Sequence, residues 1–135
     1  MRAYLLISHG GFAEALKESL KMITGERDDL FAVGLAHDDG PETFGVKLQA
    51  KLDEMKAFDE IVVFTDLLGG SPGNAAVTKF INTDKVHVIS GMNFPMLLNT
   101  VLSPDCSVED ILNAGKEGIQ DVKAFVKASM SDDDE

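Results

Sequence analysis

The sequence predicts a single doubly wound α/β domain with a mainly parallel central sheet flanked by helices. Three observations carry that prediction. Apolar runs of strand length alternate with segments of helical apolar spacing from one end of the chain to the other. Two of these runs, Tyr4–Ile7 and Ile61–Phe64, have no polar alternation, as expected of strands covered on both faces. A chain of 135 residues, 44% of them hydrophobic and 26% charged, is enough for one good core and too short for two.

Tyr4–Ile7 is the first strand and runs into Ser8-His9-Gly10-Gly11, a tight turn. Phe12, Leu16, Leu20 and Ile23 then recur at helical spacing, and Gly25 is placed to end that helix. Leu30–Leu35 is the second strand, and the turn-rich Ala36-His37-Asp38-Asp39-Gly40-Pro41 follows it. Phe44, Leu48, Leu52 and Met55 mark a second crossover helix. The β-branched run Ile61-Val62-Val63-Phe64 makes the third strand. Beyond it, Ser71 suits an N-cap and Pro72 a first helical position, so a helix is expected through Ala75, Ala76 and Phe80. Val86–Ile89 is the fourth strand, followed by a short helix with Leu97, Leu98 and Val101. A last helix opens at the capping box Ser107–Asp110, with Ile111, Ile119, Val122 and Phe125 expected along its apolar side. The domain is expected over 1–130, and the acidic 131–135 as a flexible tail.

The net charge of −11 argues against nucleic acid as a partner, because phosphate backbones are bound through an excess of lysine and arginine. No apolar stretch is long enough to span a bilayer and the N-terminus has no signal-peptide pattern, so a cytoplasmic protein is expected. Cys106, the one cysteine, has no partner for an internal disulfide and reads as structurally incidental. Neither a metal nor a cofactor is expected. His37 beside Asp38 and Asp39 reads as turn chemistry, having no third ligand on a rigid element, and His87 as a packed or edge residue of its strand.

In an open parallel sheet, ligands bind where the carboxyl ends of the strands meet. The first strand brings His9 there, the third Asp66 and the fourth Asn93. A carboxylate that takes the proton of one imidazole nitrogen fixes the tautomer and leaves the other nitrogen nucleophilic. Gly69-Gly70-Ser71-Pro72-Gly73-Asn74 adds backbone that can approach closely, a hydroxyl, and the open N–H groups of a helix start, which together suit an anion. Taken singly, each has a plainer reading: His9 a hydrogen-bonded structural residue, Asp66 a turn cap, the glycines a loop, Asn93 a brace for the turn before Pro95. Together they point to a covalent phosphohistidine.

These segments, with Gly91-Met92-Asn93-Phe94-Pro95-Met96-Leu97 after the fourth strand, resemble the IIA component of the mannose family of the bacterial phosphoenolpyruvate-dependent sugar phosphotransferase system. The resemblance covers nearly the whole chain. It implies a phosphotransferase in which His9 accepts a phosphoryl group from the phosphocarrier protein HPr and passes it to a IIB component, with the IIC and IID membrane components downstream. Asp66 would orient His9, and Gly70, Ser71 and Gly73 would hold phosphoryl oxygens. A homodimer formed through the C-terminal part is implied, and a IIB on a separate polypeptide is expected because the sequence stops at Glu135. The choice of sugar would rest with the membrane components. The phosphoryl-donor subunit of dihydroxyacetone kinase is a related alternative, although its loop after the third strand lacks the full Gly-Gly-Ser-Pro pattern. A module that regulates a partner through phosphorylation of His9 is another.

Three other functions of this fold class do not fit. A receiver domain requires an acidic pair after the first strand and a lysine after the last, where this chain has Ser8-His9 and Ser90-Gly91. A flavin module calls for stacking aromatics, and the chain has no Trp and one Tyr, inside a strand. Neither a dinucleotide-binding nor a P-loop glycine pattern occurs.

Overall fold

Alternate residues of a strand face opposite ways, and in the first strand of the computed structural model, which describes residues 1–133, both ways are apolar. In β1 (Arg2–His9), Tyr4 and Leu6 lie in one core and Ala3, Leu5 and Ile7 in a second, all five fully buried. The strand is therefore central. It pairs in parallel with β2 (Leu30–Leu35) on one side and β3 (Glu60–Thr65) on the other, and β4 (Val86–Ile89) adds to β3, giving the order β2-β1-β3-β4.

The crossover helices fill both faces. α1 (Phe12–Thr24), α4 (Phe94–Leu102) and α5 (Val108–Glu117) cover the face of Tyr4 and Leu6, through Ala13, Leu20, Leu97, Val101 and Ile111. α2 (Pro41–Glu54) and α3 (Ser71–Phe80) cover the other through Phe44, Leu48, Ala76 and Phe80. The chain thus winds one way from β1 to β2 and the opposite way from β3 to β4. The reversal falls between β1 and β3, and at that point the carboxyl ends of adjacent strands open into a crevice.

The predicted fold class and the predicted strands are those observed, and three expectations are corrected. The apolar stripe of α1 runs through Ala13, Leu16 and Leu20, whereas Phe12 and Ile23, at the two ends of the helix, are exposed. The single last helix is two. α5 opens on the expected capping box, with the Asp110 amide donating to Ser107 Oγ and the Ser107 amide to the Asp110 carboxylate, but it ends at Gly118. A fresh N-cap, Asp121, which accepts from the Ala124 amide, starts α6 (Val122–Asp133). Ile111 packs into the core, while Ile119, Val122 and Phe125 are all exposed, because α6 makes no extensive contact with any other element. Of the expected tail, residues 131–133 continue α6, and residues 134–135 lie outside the described residues.

At the amino ends of the strands the Arg2 guanidinium lies against the Glu60 carboxylate and donates to the carbonyl of Cys106 at 2.9 Å, tying β1 to β3 and to the α4–α5 loop. Cys106 so has a packing role, and His87, on the edge strand, has Nε2 3.4 Å from the same Glu60 carboxylate. Arg2, ahead of the lesser pull of His87, holds the Glu60 carboxyl below the usual carboxylate range.

Candidate functional site

His9 ends β1 and the register sets Leu35 beside it on β2, while Asp66 follows the last residue of β3. Where β1 gives way to α1, Ser8 fixes the turn. It is fully buried, and its Oγ accepts the Ala13 amide at 2.8 Å, bracing the start of α1 against the end of the strand. Gly34 lies so close under the turn that a Cβ there would meet the Gly10 carbonyl oxygen at 2.0 Å, and the Gly10 amide donates to Leu35 at 2.7 Å. The histidine is carried on rigid backbone.

One oxygen of Asp66 serves His9 twice. It accepts the His9 amide at 2.8 Å and lies 2.7 Å from imidazole Nδ1, while the second oxygen accepts the Leu67 amide at 2.9 Å. A carboxylate in contact with Nδ1 takes its proton in hydrogen bond and leaves Nε2 with a free lone pair. Burial pushes the Asp66 carboxyl up, but the His9 amide, the imidazole and the Leu67 amide together outweigh it and hold the group below the usual carboxylate range. Asp66 is a charged acceptor at any physiological pH. Its side chain is 11% exposed and that of His9 48%, so the carboxylate is sheltered and the imidazole open.

The β3–α3 loop closes over the ring. The N-cap of α3 is Gly70, not Ser71: Gly70 is extended and Ser71 is the first helical residue, a shift of one position that leaves the cap without a side chain. The reason lies in the neighbouring ring. A Cβ on residue 70 would sit 2.8 Å from His9 Cε1 and 3.5 Å from Nε2, so only glycine lets the loop approach that edge of the imidazole. Ser71 is exposed at the helix start, and the amides of Ser71 and Gly73 are among those an α-helix leaves without internal acceptors. Gly73 itself is buried beneath Leu67 and Thr65, so its amide alone is on offer. Gly70→Ala is expected to displace the His9 ring, read as a shift of its imidazole resonances by NMR, with little change in the melting temperature. A thermal melt run beside the NMR spectra measures both.

Asn93 is placed differently from the sequence expectation. It is the N-cap of α4, its Oδ1 accepting the Met96 amide at 2.9 Å and its Nδ2 donating to the Gly115 carbonyl at 2.9 Å. Both ends of the amide are engaged in joining α4 to α5, and the plainer reading holds. His37 stands on a turn, as expected. It and His9 line one hollow of about 420 Å³ with Gly10, Leu35, Ala36 and Asp39. Among the described residues no group of three or more His, Cys, Asp or Glu converges as metal ligands would.

Sequence reasoning missed two further features. Ser8 was read as part of a motif and given no role, although a serine closing an apolar strand five residues before a helical amide is a recognisable brace. Large apolar side chains also stand exposed on the segments that flank His9: Phe12 follows the turn, and Leu67 and Leu68 are on the β3–α3 loop, Leu68 being 85% exposed.

Residues 3–114 match the family described as the PTS system fructose IIA component. Among curated proteins the chain is 32% identical over 114 residues to the fructose-specific EIIA component of Bacillus subtilis, covering 84% of this chain and 78% of that protein. It is 29% identical over 128 residues to the mannose-specific EIIAB component of Escherichia coli, covering 90% of this chain but 40% of that longer protein. Among solved structures, the PTS IIA protein associated with the fucose utilization operon of Streptococcus pneumoniae superposes with a TM-score of 0.86 at 32% identity, over 93% of this chain and 96% of that one. No helix among the described residues is long and apolar enough to cross a membrane. A match over most of the chain, a relative above 30% identity and a shared fold agree with the motifs at the ends of β1 and β3: the chain belongs to the IIA components of the mannose family of the sugar phosphotransferase system.

Proposed function

We propose that the chain carries a phosphoryl group on His9 Nε2, taking it from the phosphohistidine of the phosphocarrier protein HPr and giving it to a IIB component during sugar uptake. The observation that carries this reading is the contact of Nδ1 with Asp66, which leaves Nε2 free on the open side of the ring, beside Gly70 and the start of α3. In the transfer, the Nε2 lone pair forms the new N–P bond as the donor's N–P bond breaks and its electron pair returns to the donor ring. The Nδ1 proton stays in hydrogen bond with Asp66, whose charge offsets the positive charge that the His9 ring acquires. Delivery to IIB is the same step with His9 as the leaving ring. Phosphoryl transfer of this kind depends chiefly on positioning and electrostatics, and the Ser71 and Gly73 amides supply donors for the moving oxygens.

The named relatives are sugar phosphotransferase components, which favours this reading over a kinase donor subunit or a regulatory module. The experiment is intact mass after incubation with phosphoenolpyruvate, enzyme I and HPr. One acid-labile phosphoryl group per chain is expected, and an unmodified, well-folded protein would refute the assignment.

A homodimer is part of the proposal. Val122, Phe125, Val126 and Met130 of α6 are all exposed, an apolar load that an isolated helix does not keep in water. The full chain is expected to run as a dimer in light scattering, and a chain ending at Gly118 as a folded monomer. A monomeric full chain, or a truncated chain that still dimerises, contradicts the dimer through α6.

A further inference from the structure

We propose that His37 is a second phosphoryl-binding group: a ring N–H of His37 donates to an oxygen of the phosphoryl group while that group is carried on His9. The proposal rests on the phosphohistidine reading and deepens it.

The turn that bears His37 is built, not loose. The Asp39 amide donates to the Ala36 carbonyl at 3.0 Å, and the Ala36 amide donates back to the Asp39 carboxylate at 2.8 Å, closing the turn on itself. Lys47 of α2 bonds the same carboxylate, whose side chain is 9% exposed. The turn is also tied to the site. His9 pairs with Leu35 in the β1–β2 register, and the Gly10 amide bonds the Leu35 carbonyl, so Ala36 and His37 leave the sheet directly beside the nucleophile. His37 is exposed at the tip of this turn, and among the described residues its ring has no hydrogen-bond or ion-pair partner.

Charge indicates what the free ring is for. A phosphoryl group brings about −1.5 to −2 charges, and it arrives in a protein of net charge −11, with Asp66 behind the accepting ring and Asp39 in the wall of the hollow. Gly70 and the α3 amides serve one side of His9. The hollow is on the β2 side, and of its six lining residues only His37 offers a side-chain N–H besides His9 itself. A charge-assisted hydrogen bond from that ring compensates a phosphoryl oxygen that would otherwise face acidic groups.

The test compares wild type, His37→Ala and His37→Gln, each brought to equilibrium with phospho-HPr, with the phosphorylated fraction read by intact mass and the phosphohistidine followed by phosphorus NMR. For His37→Ala the equilibrium is expected to move toward HPr by about tenfold, the value of one hydrogen bond to a charged group, and the phosphorus resonance to shift. The Gln variant keeps an N–H and is expected to recover most of the equilibrium. All three should melt alike. An equilibrium and a resonance both unchanged in His37→Ala overturn the proposal and leave His9 as the carrier. A phosphoryl group mapped to His37 instead of His9 overturns it as well. A wild type that takes up no phosphoryl group refutes the reading of His9 and this proposal with it.

Discussion

His9→Ala is expected to abolish phosphoryl acceptance and to leave the fold standing. The two outcomes are linked by geometry. The imidazole is about half exposed at the mouth of the crevice, so its loss leaves no cavity in either core, and substitutions of that kind usually change stability by no more than about 0.5 kcal/mol. Nor does it orphan Asp66, whose oxygens keep the amides of residue 9 and Leu67. No other side chain takes the ring's place: Ser71, nearest along the loop, is a hydroxyl without an adjacent base, and His37 lacks a carboxylate on either nitrogen. The mass increase seen for wild type with phospho-HPr is expected to vanish in the variant, with circular dichroism and melting temperature retained. A variant that still gains an acid-labile phosphoryl group places the carrier elsewhere, and a variant that unfolds makes His9 structural.

How much of this was legible in the sequence depends on how local the cause is. The strands could be read because each is a short apolar run whose neighbours are turn residues, and the α5 capping box because both its bonds lie within four residues. His9 and Asp66 could be paired before any coordinates because doubly wound chains bring the ends of β1 and β3 together. The rest depended on distance. That Gly70, rather than Ser71, starts α3 follows from the His9 ring 61 positions away in sequence, which excludes a Cβ at 70. That Asn93 braces α5 depends on a carbonyl in another helix, and that Ile119, Val122 and Phe125 lie outside the chain's own core depends on α6 making no extensive contact with the other described elements. The periodicity of those three residues was real, but it describes a face, and a face is buried only if something covers it. His37 is the same lesson at the site: its neighbours along the chain are acidic turn residues, and the histidine that shares its hollow is on another strand.

Asp66→Asn is expected to slow phosphoryl acceptance by about a thousandfold or more, the order found where an orienting carboxylate beside a catalytic histidine becomes an amide. The reason is the tautomer. An amide oxygen can still accept from Nδ1, but its NH2 end can equally donate to that nitrogen, which puts the ring proton on Nε2 and removes the lone pair that attacks phosphorus. Either orientation carries a second defect. Asp66 accepts at both oxygens, from His9 at one and Leu67 at the other, so an asparagine must turn its NH2 toward an N–H donor whichever way it lies. One donor facing another costs about 1–3 kcal/mol of stability. The pH dependence separates this contribution from a general weakening. Because the folded carboxyl is held below its ordinary value, its stabilisation is fully present above the unfolded carboxylate range, near pH 4, and is lost as the pH falls through the lower folded value. The stability gap between wild type and Asp66→Asn in urea unfolding is therefore expected to be widest above about pH 4 and to close below it. A gap independent of pH would show that the carboxylate's charge contributes nothing to holding the ring, and an unchanged transfer rate would make Asp66 a turn residue only.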